Sequence, residues 1–182
     1  MRNIAEQQQR LTETIYKLLA LAEVEQHGWL QRRERVALAL LFAQLAEALA
    51  PQLRASGLKL QVHAPDPELA LAGDPYLLRQ ALHNLLDNAV AFSPVGGTVV
   101  LRAERDADAR IALLVEDAGP GVPAYVLERV FERFYSLARP ATWQRSSGLG
   151  LSFVREEARL HGGEASLRNR ACGVTLARLL LG

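Results

Sequence analysis

The chain has 182 residues, with 21 basic and 20 acidic side chains, a formal net charge of +1, and 49% hydrophobic residues. That balance fits a globular chain and not a disordered tail, nothing in it points to a nucleic-acid surface, and the length leaves room for one substantial core plus a small appendage. The single cysteine, Cys172, excludes a disulfide framework and a cysteine-based metal site.

From Met1 to about Gln26 the pattern is helical, with no glycine or proline. Ile4, Leu11, Ile15, Leu18 and Ala22 form one apolar stripe, and Gln7 to Arg10, Glu13 and Lys17 form a wet side. A lone helix of this kind must bury its stripe elsewhere, and a second copy of the chain is the simplest partner. His27-Gly28 reads as a stop, and Arg32-Arg33-Glu34-Arg35 as a charged link. The boundaries that follow are 1–28 for the helix, 29–35 for the linker and 36–182 for a globular domain.

Within that domain, Ala37 to Leu53 reads as an amphipathic helix. Its stretch Val36 to Leu49 is the nearest approach to a membrane span, but Gln44 and Glu47 interrupt it. No signal-peptide pattern is present either, so the expectation is an intracellular chain, or the soluble end of a larger membrane protein. Leu58 to His63 alternates like a strand, and Leu69 to Ala72 reads as a short second one. Asp74 caps a helix that starts at Pro75 and ends at Phe92, before Ser93-Pro94. Thr98–Arg105 and Arg110–Glu116 have hairpin grammar, joined by a polar turn. A short helix over Val122–Val130, a polar stretch over Leu137–Ser147 and a helix over Leu149–Leu160 follow. Strands over Glu164–Asn169 and Gly173–Leu180 close the chain. Helices grouped with a largely antiparallel sheet predict an α+β two-layer sandwich with helices on one face.

Three local patterns carry chemistry. Asn84 and Asn88 are four apart, so both amides are expected to face one cleft. An amide oxygen is a hard neutral ligand suited to Mg²⁺, although a helical Asn pair also fits a solvated surface. Asp117 follows an apolar strand and opens Asp117-Ala118-Gly119-Pro120-Gly121. A carboxylate there can accept from an exocyclic amine while Gly119 and Gly121 admit a ring, or it can simply cap a turn. Gly148-Leu149-Gly150-Leu151-Ser152 opens the last helix, where free N–H groups suit phosphate oxygens, or where glycine serves as a hinge. It matches neither the dinucleotide fingerprint nor a Walker loop. Between the two glycine turns, Phe131 to Tyr135 would anchor a movable segment from which Arg133, Arg139 or Arg145 could reach phosphates. The four histidines show no metal spacing, and structural or surface roles suit them.

Taken in order, these segments resemble the boxes of sensor histidine kinases of two-component systems. Asn84 to Phe92 is similar to the N box, Asp117 to Gly121 to the first glycine box, Phe131 to Tyr135 to the F box and Gly148 to Ser152 to the second glycine box. His161-Gly162-Gly163 resembles the turn after the last helix, and the N-terminal stripe resembles the second helix of a dimerisation hairpin. The resemblance implies the Bergerat-type ATPase fold shared with Hsp90, gyrase B and MutL, with ATP and Mg as ligands. It implies that Asn88 holds the metal with Asn84 beside it, and that Asp117 receives the adenine amine next to Phe92. Gly119 and Gly121 would admit the base. Gly148, Leu149, Gly150 and Leu151, with Arg133, would surround the phosphates.

The resemblance further implies phosphoryl transfer to a histidine on a first hairpin helix, and from there to an aspartate of a response regulator receiver domain. Self-association through the hairpin, an upstream membrane-spanning sensor region and no nucleic-acid partner complete the picture. The catalytic portion would be cytoplasmic, with the full-length protein in the bacterial inner membrane. Two departures stand out: Ala91 occupies a place usually held by lysine, and Ala118 one where asparagine is frequent. None of the histidines has the phosphoacceptor context, so the chain reads as a piece with the ATP machinery and half the hairpin. A degenerate nucleotide-sensing module without transfer is the alternative.

Overall fold

A computed structural model describes residues 15, 18, 33–63, 66–106, 108–140, 146–170 and 173–182. Ile15 and Leu18 of the N-terminal stripe are helical and exposed, and the rest of that helix lies outside the described residues.

The charged link is not a link throughout. Glu34–Ala37 forms strand β1, which pairs antiparallel with β3 (Ala70–Gly73) in a small two-stranded sheet. The helix after it, α1 (Leu38–Ser56), runs past the expected end at Leu53 even though Pro51 lies inside it. Leu49 and Leu53 are buried on either side of the proline, and packing offsets the lost backbone bond. Gly57 ends α1 in the left-handed conformation, its N–H reaching back to Arg54.

Helix α2 (Pro75–Phe92) has the bounds expected from its caps. Asp74 Oδ1 accepts from the N–H groups of Tyr76 at 2.8 Å and Leu77 at 3.1 Å. The main sheet contains β2 (Lys59–Val62), β4 (Thr98–Arg105), β5 (Ile111–Asp117), β6 (Glu164–Asn169) and β7 (Thr175–Leu181), ordered β2-β4-β5-β7-β6. Only the β2–β4 pair is parallel; the others are antiparallel. The short helix expected over 122–130 shrinks to one turn, α3 (Ala124–Leu127). The last helix, α4 (Gly150–Leu160), packs beside α2.

One continuous apolar core joins α1, α2 and α4 to one face of the sheet, including Phe42, Leu82, Leu86, Leu113 and Leu179. This is the expected two-layer sandwich. Among the described residues, no helix is long and apolar enough to cross a membrane.

Candidate functional site

A cleft of about 920 Å³, counting the solvent at its mouth, opens between α2, the end of β5, the loop after it and the start of α4. Of the residues singled out from the sequence, Asn88, Phe92, Asp117, Gly119, Gly121, Gly148, Gly150 and Leu151 line it. The walls are otherwise largely apolar, with Leu85, Ala89, Val115 and Val126 among them. Asn84, Leu149 and Arg133 do not line it.

The lining takes in Asn88 and not Asn84, whose amide stands beside the cleft-lining Gly150. Four residues of α-helix turn through about 400°, so Asn84 and Asn88 differ by about 40° around the axis. That rotation points Asn84 at the start of α4, where a Cβ on Gly150 would sit 3.4 Å from its Oδ1. Asn84 is 4% exposed and serves the α2–α4 seam. Leu149 is buried in the core, and Arg133 is exposed.

Asp117 ends β5 and faces Thr175 across the antiparallel pair with β7. Its Oδ1 accepts from the Gly119 N–H at 2.7 Å, and the Thr175 hydroxyl and N–H also donate to the carboxylate. Burial pushes the carboxyl above its ordinary value, and these three donors pull the other way. A carboxylate has about four acceptor directions, so it can still accept from a ligand amine. Gly119 is required where it stands, since a Cβ there would meet Asp117 Oδ1 at 2.7 Å and the Phe92 carbonyl oxygen at 3.0 Å. Ser93 Oγ, just past α2, accepts from Ala118 N–H at 3.3 Å and ties the helix end to the same turn.

The opposite end of the cleft is built from the second glycine turn. Gly148 adopts φ +69°, and its carbonyl accepts from Phe134 N–H at 2.9 Å. Phe134 itself has φ 62° and is 67% exposed, while Tyr135 lines the cleft and carries the Arg129 guanidinium 4.6 Å from its ring centre. Helix α4 starts with no side-chain cap and no acidic residue in its first turn. Among the described residues no side chain caps this helix, unlike α2, and its first residues Gly150 and Leu151 line the cleft. Arg139 is half-buried outside the cleft lining, and Arg145 lies outside the described residues.

Residues 73–181 match the family described as histidine kinase-, DNA gyrase B-, and HSP90-like ATPases. The chain belongs to that family. This ATPase domain is 45% identical over 184 residues to the sensor protein CreC of Escherichia coli K12, covering 98% of the chain and 37% of CreC. It is 31% identical over 173 residues to the sensor histidine kinase CusS of the same organism, covering 90% of the chain and 34% of CusS. Its fold superposes on full-length ShkA in complex with AMPPNP with a TM-score of 0.81 at 26% identity, covering 97% of the chain and 36% of ShkA. Within the family the domain is of the sensor histidine kinase catalytic type, and it spans about a third of the length of these curated relatives.

Thr175 was not legible as a site residue, because its role depends on β7 pairing with β5. Tyr135 and Ser136 also line the cleft. The aromatic spacing of the F-box segment pointed to Tyr135 only as an anchor.

Proposed function

We propose that the chain is the catalytic part of a sensor histidine kinase that binds ATP with Mg²⁺. The observation that carries this reading is the polarity of one cleft. An oriented, half-buried carboxylate, Asp117, lies at one end, an uncapped helix start at the other, and the Asn88 amide between them on α2. Asp117 would accept the adenine amine, Phe92 would flank the base, and the N–H groups around Gly148 to Leu151 would take phosphate oxygens. Asn88 supplies a neutral oxygen of the kind Mg²⁺ accepts alongside phosphates and water. When bound there, the ion would offset charge on the phosphate oxygens.

In the whole protein, a histidine nitrogen on the first hairpin helix would attack the γ-phosphorus. The bond to the β-phosphate oxygen would break, and ADP would leave. The phosphoryl group would then pass to an aspartate of a response regulator receiver domain. Residues 1–28 would form the second hairpin helix and support self-association, and an upstream membrane-spanning sensor would hold the catalytic part on the cytoplasmic side.

Titration with an ATP analogue, with and without Mg²⁺, tests the site. Micromolar magnesium-dependent binding that Asn88→Ala weakens at least tenfold is the expected result, and no binding refutes the reading. Labelled ATP is expected to leave this chain unlabelled and to label a supplied histidine-bearing hairpin.

A second reading, a nucleotide-sensing module without transfer, draws on one observation. Ala91 supplies no cation, and among the described residues no lysine or arginine lines the cleft. Tight binding with no label on the supplied hairpin is its signature.

A further inference from the structure

We propose that Asn169, at the end of β6, is a positioning residue that fixes the base-reading turn and so sets the preference for adenine. The proposal rests on the nucleotide reading above. Its origin is a pairing that spans 47 residues of sequence: Asn169 Oδ1 accepts from Val122 N–H at 2.8 Å, and Asn169 Nδ2 donates to the Val122 carbonyl at 2.7 Å. One side-chain amide thereby satisfies both backbone groups of Val122, as a neighbouring strand would.

Val122 closes the turn that begins at Asp117. Gly119 in that turn donates to Asp117 Oδ1, and Gly119, Gly121 and Val122 all line the cleft. The β6–β7 hairpin meets the turn at two close approaches. A Cβ on Gly121 (φ +84°) would lie 3.1 Å from Asn169 Oδ1, and one on Gly173 (φ +87°) would lie 3.3 Å from the Gly119 carbonyl oxygen. Two backbones press together here, and Asn169 is the side chain that pins them.

The consequence is confined to one end of the cleft. Without the amide, Val122 exchanges two fixed bonds for water and the turn gains freedom. The direction of the Gly119 N–H, and with it the free acceptor direction of Asp117, is then less defined. Asn88 and the start of α4, on other elements, keep their places. Asn169 is exposed, so its truncation removes no core packing.

The experiment is calorimetric titration of the full chain with ATP, GTP and inorganic tripolyphosphate in Mg²⁺, comparing wild type, Asn169→Ala and Asn169→Asp. Asn169→Ala is expected to lose about tenfold in ATP affinity, a loss on the scale of one or two net hydrogen bonds. The ATP-over-GTP ratio shrinks in step, while tripolyphosphate affinity stays at the wild-type value and the chain stays folded. Asn169→Asp keeps the acceptor for Val122 N–H but turns an oxygen toward the Val122 carbonyl, and it shows the same loss with a folded chain of unchanged size. A wild-type ATP-over-GTP ratio in both variants overturns the proposal and leaves the nucleotide reading intact. A parallel loss of ATP and tripolyphosphate overturns it too, since it indicates general loosening. Wild-type protein that binds tripolyphosphate with no preference for ATP over GTP overturns the base reading, and this proposal with it.

Discussion

Replacing Glu157 with leucine is expected to stabilise the chain and to remove most of its sensitivity to alkali. Glu157 sits on α4 with its side chain fully buried. His161 Nδ1 is 3.1 Å from Oε1, but this proximity is not a hydrogen bond. The Nδ1 hydrogen is committed to the Glu157 carbonyl at 3.0 Å, and Nε2 accepts from Asp74 N–H at 3.4 Å. Among the described residues, both carboxyl oxygens are left without a hydrogen-bond partner. Burial, with the Asp74 charge adding to it, pushes the carboxyl from its ordinary 4.5 up to about 8. Arg33, just before β1, is the cation that acts on His161 in the same cluster.

The folded chain therefore holds a proton that the unfolded chain releases between these two values. Its stability contribution is complete below pH 4.5 and is lost as pH rises through about 8. At about 1.4 kcal/mol per tenfold change in proton activity, the loss is about 3 kcal/mol by neutral pH and about 5 kcal/mol by the end of the window. His161 works in the opposite sense and at lower pH. Burial, chiefly, holds it below 6.5, so its contribution is lost as pH falls below that value. The range from 6.5 to about 8 thus belongs to Glu157. In urea unfolding across that range, wild type is expected to lose about 2 kcal/mol and Glu157→Leu almost none. At neutral pH the variant is expected to be more stable by about 3 kcal/mol, since leucine fills a similar volume without a desolvated carboxyl. A flat wild-type profile, or a variant less stable than wild type at neutral pH, would refute the reasoning by showing that the carboxyl has a partner.

Three further predictions concern the cleft. Asp117→Asn places an amide hydrogen where an acceptor is needed, so ATP affinity is expected to fall at least about tenfold while tripolyphosphate binding is retained; equal losses for both ligands would count against the assignment. Because burial raises the Asp117 carboxyl above 3.8, acidification is expected to lower the ratio of ATP to GTP affinity before it reaches the ordinary carboxylate range. Gly148→Ala must hold an L-residue at φ +69° with its Cβ 2.5 Å from the Phe134 carbonyl carbon. A cost of about 2 kcal/mol or more in chemical unfolding is expected, and a change within about 0.5 kcal/mol would show that the turn can move.

Local signals were read well, and pairings between distant segments were not. The bounds of α2 were fixed by Asp74-Pro75 and Ser93-Pro94, and the β4–β5 hairpin by two strand-like runs around a polar turn. Strand β1 was hidden because Glu34 and Arg35 look like a solvated link, and only its partner β3 makes it a strand. Asn84 has the right residue type and spacing for a ligand, yet the few tens of degrees that separate it from Asn88 place it under α4. Glu157 lies among Arg155, Glu156 and Arg159 and reads as part of a wet face, although α4 turns it into the core. Thr175 and Asn169 matter through cross-strand and cross-loop contacts that no periodicity encodes. The glycine turns were legible because a positive φ or a close backbone approach restricts residue choice at one position.

The two-stranded sheet at the entry to the domain has a mechanical consequence. Strand β1 is hydrogen-bonded along its length to β3, and β3 ends at Gly73, where a Cβ would come within 2.4 Å of His161 Nε2. The next residue is the cap of α2. Glu34 pairs with Gly73, one residue before the Asp74 cap, so β1 meets the helix that bears Asn88 through backbone pairing and not through a loop.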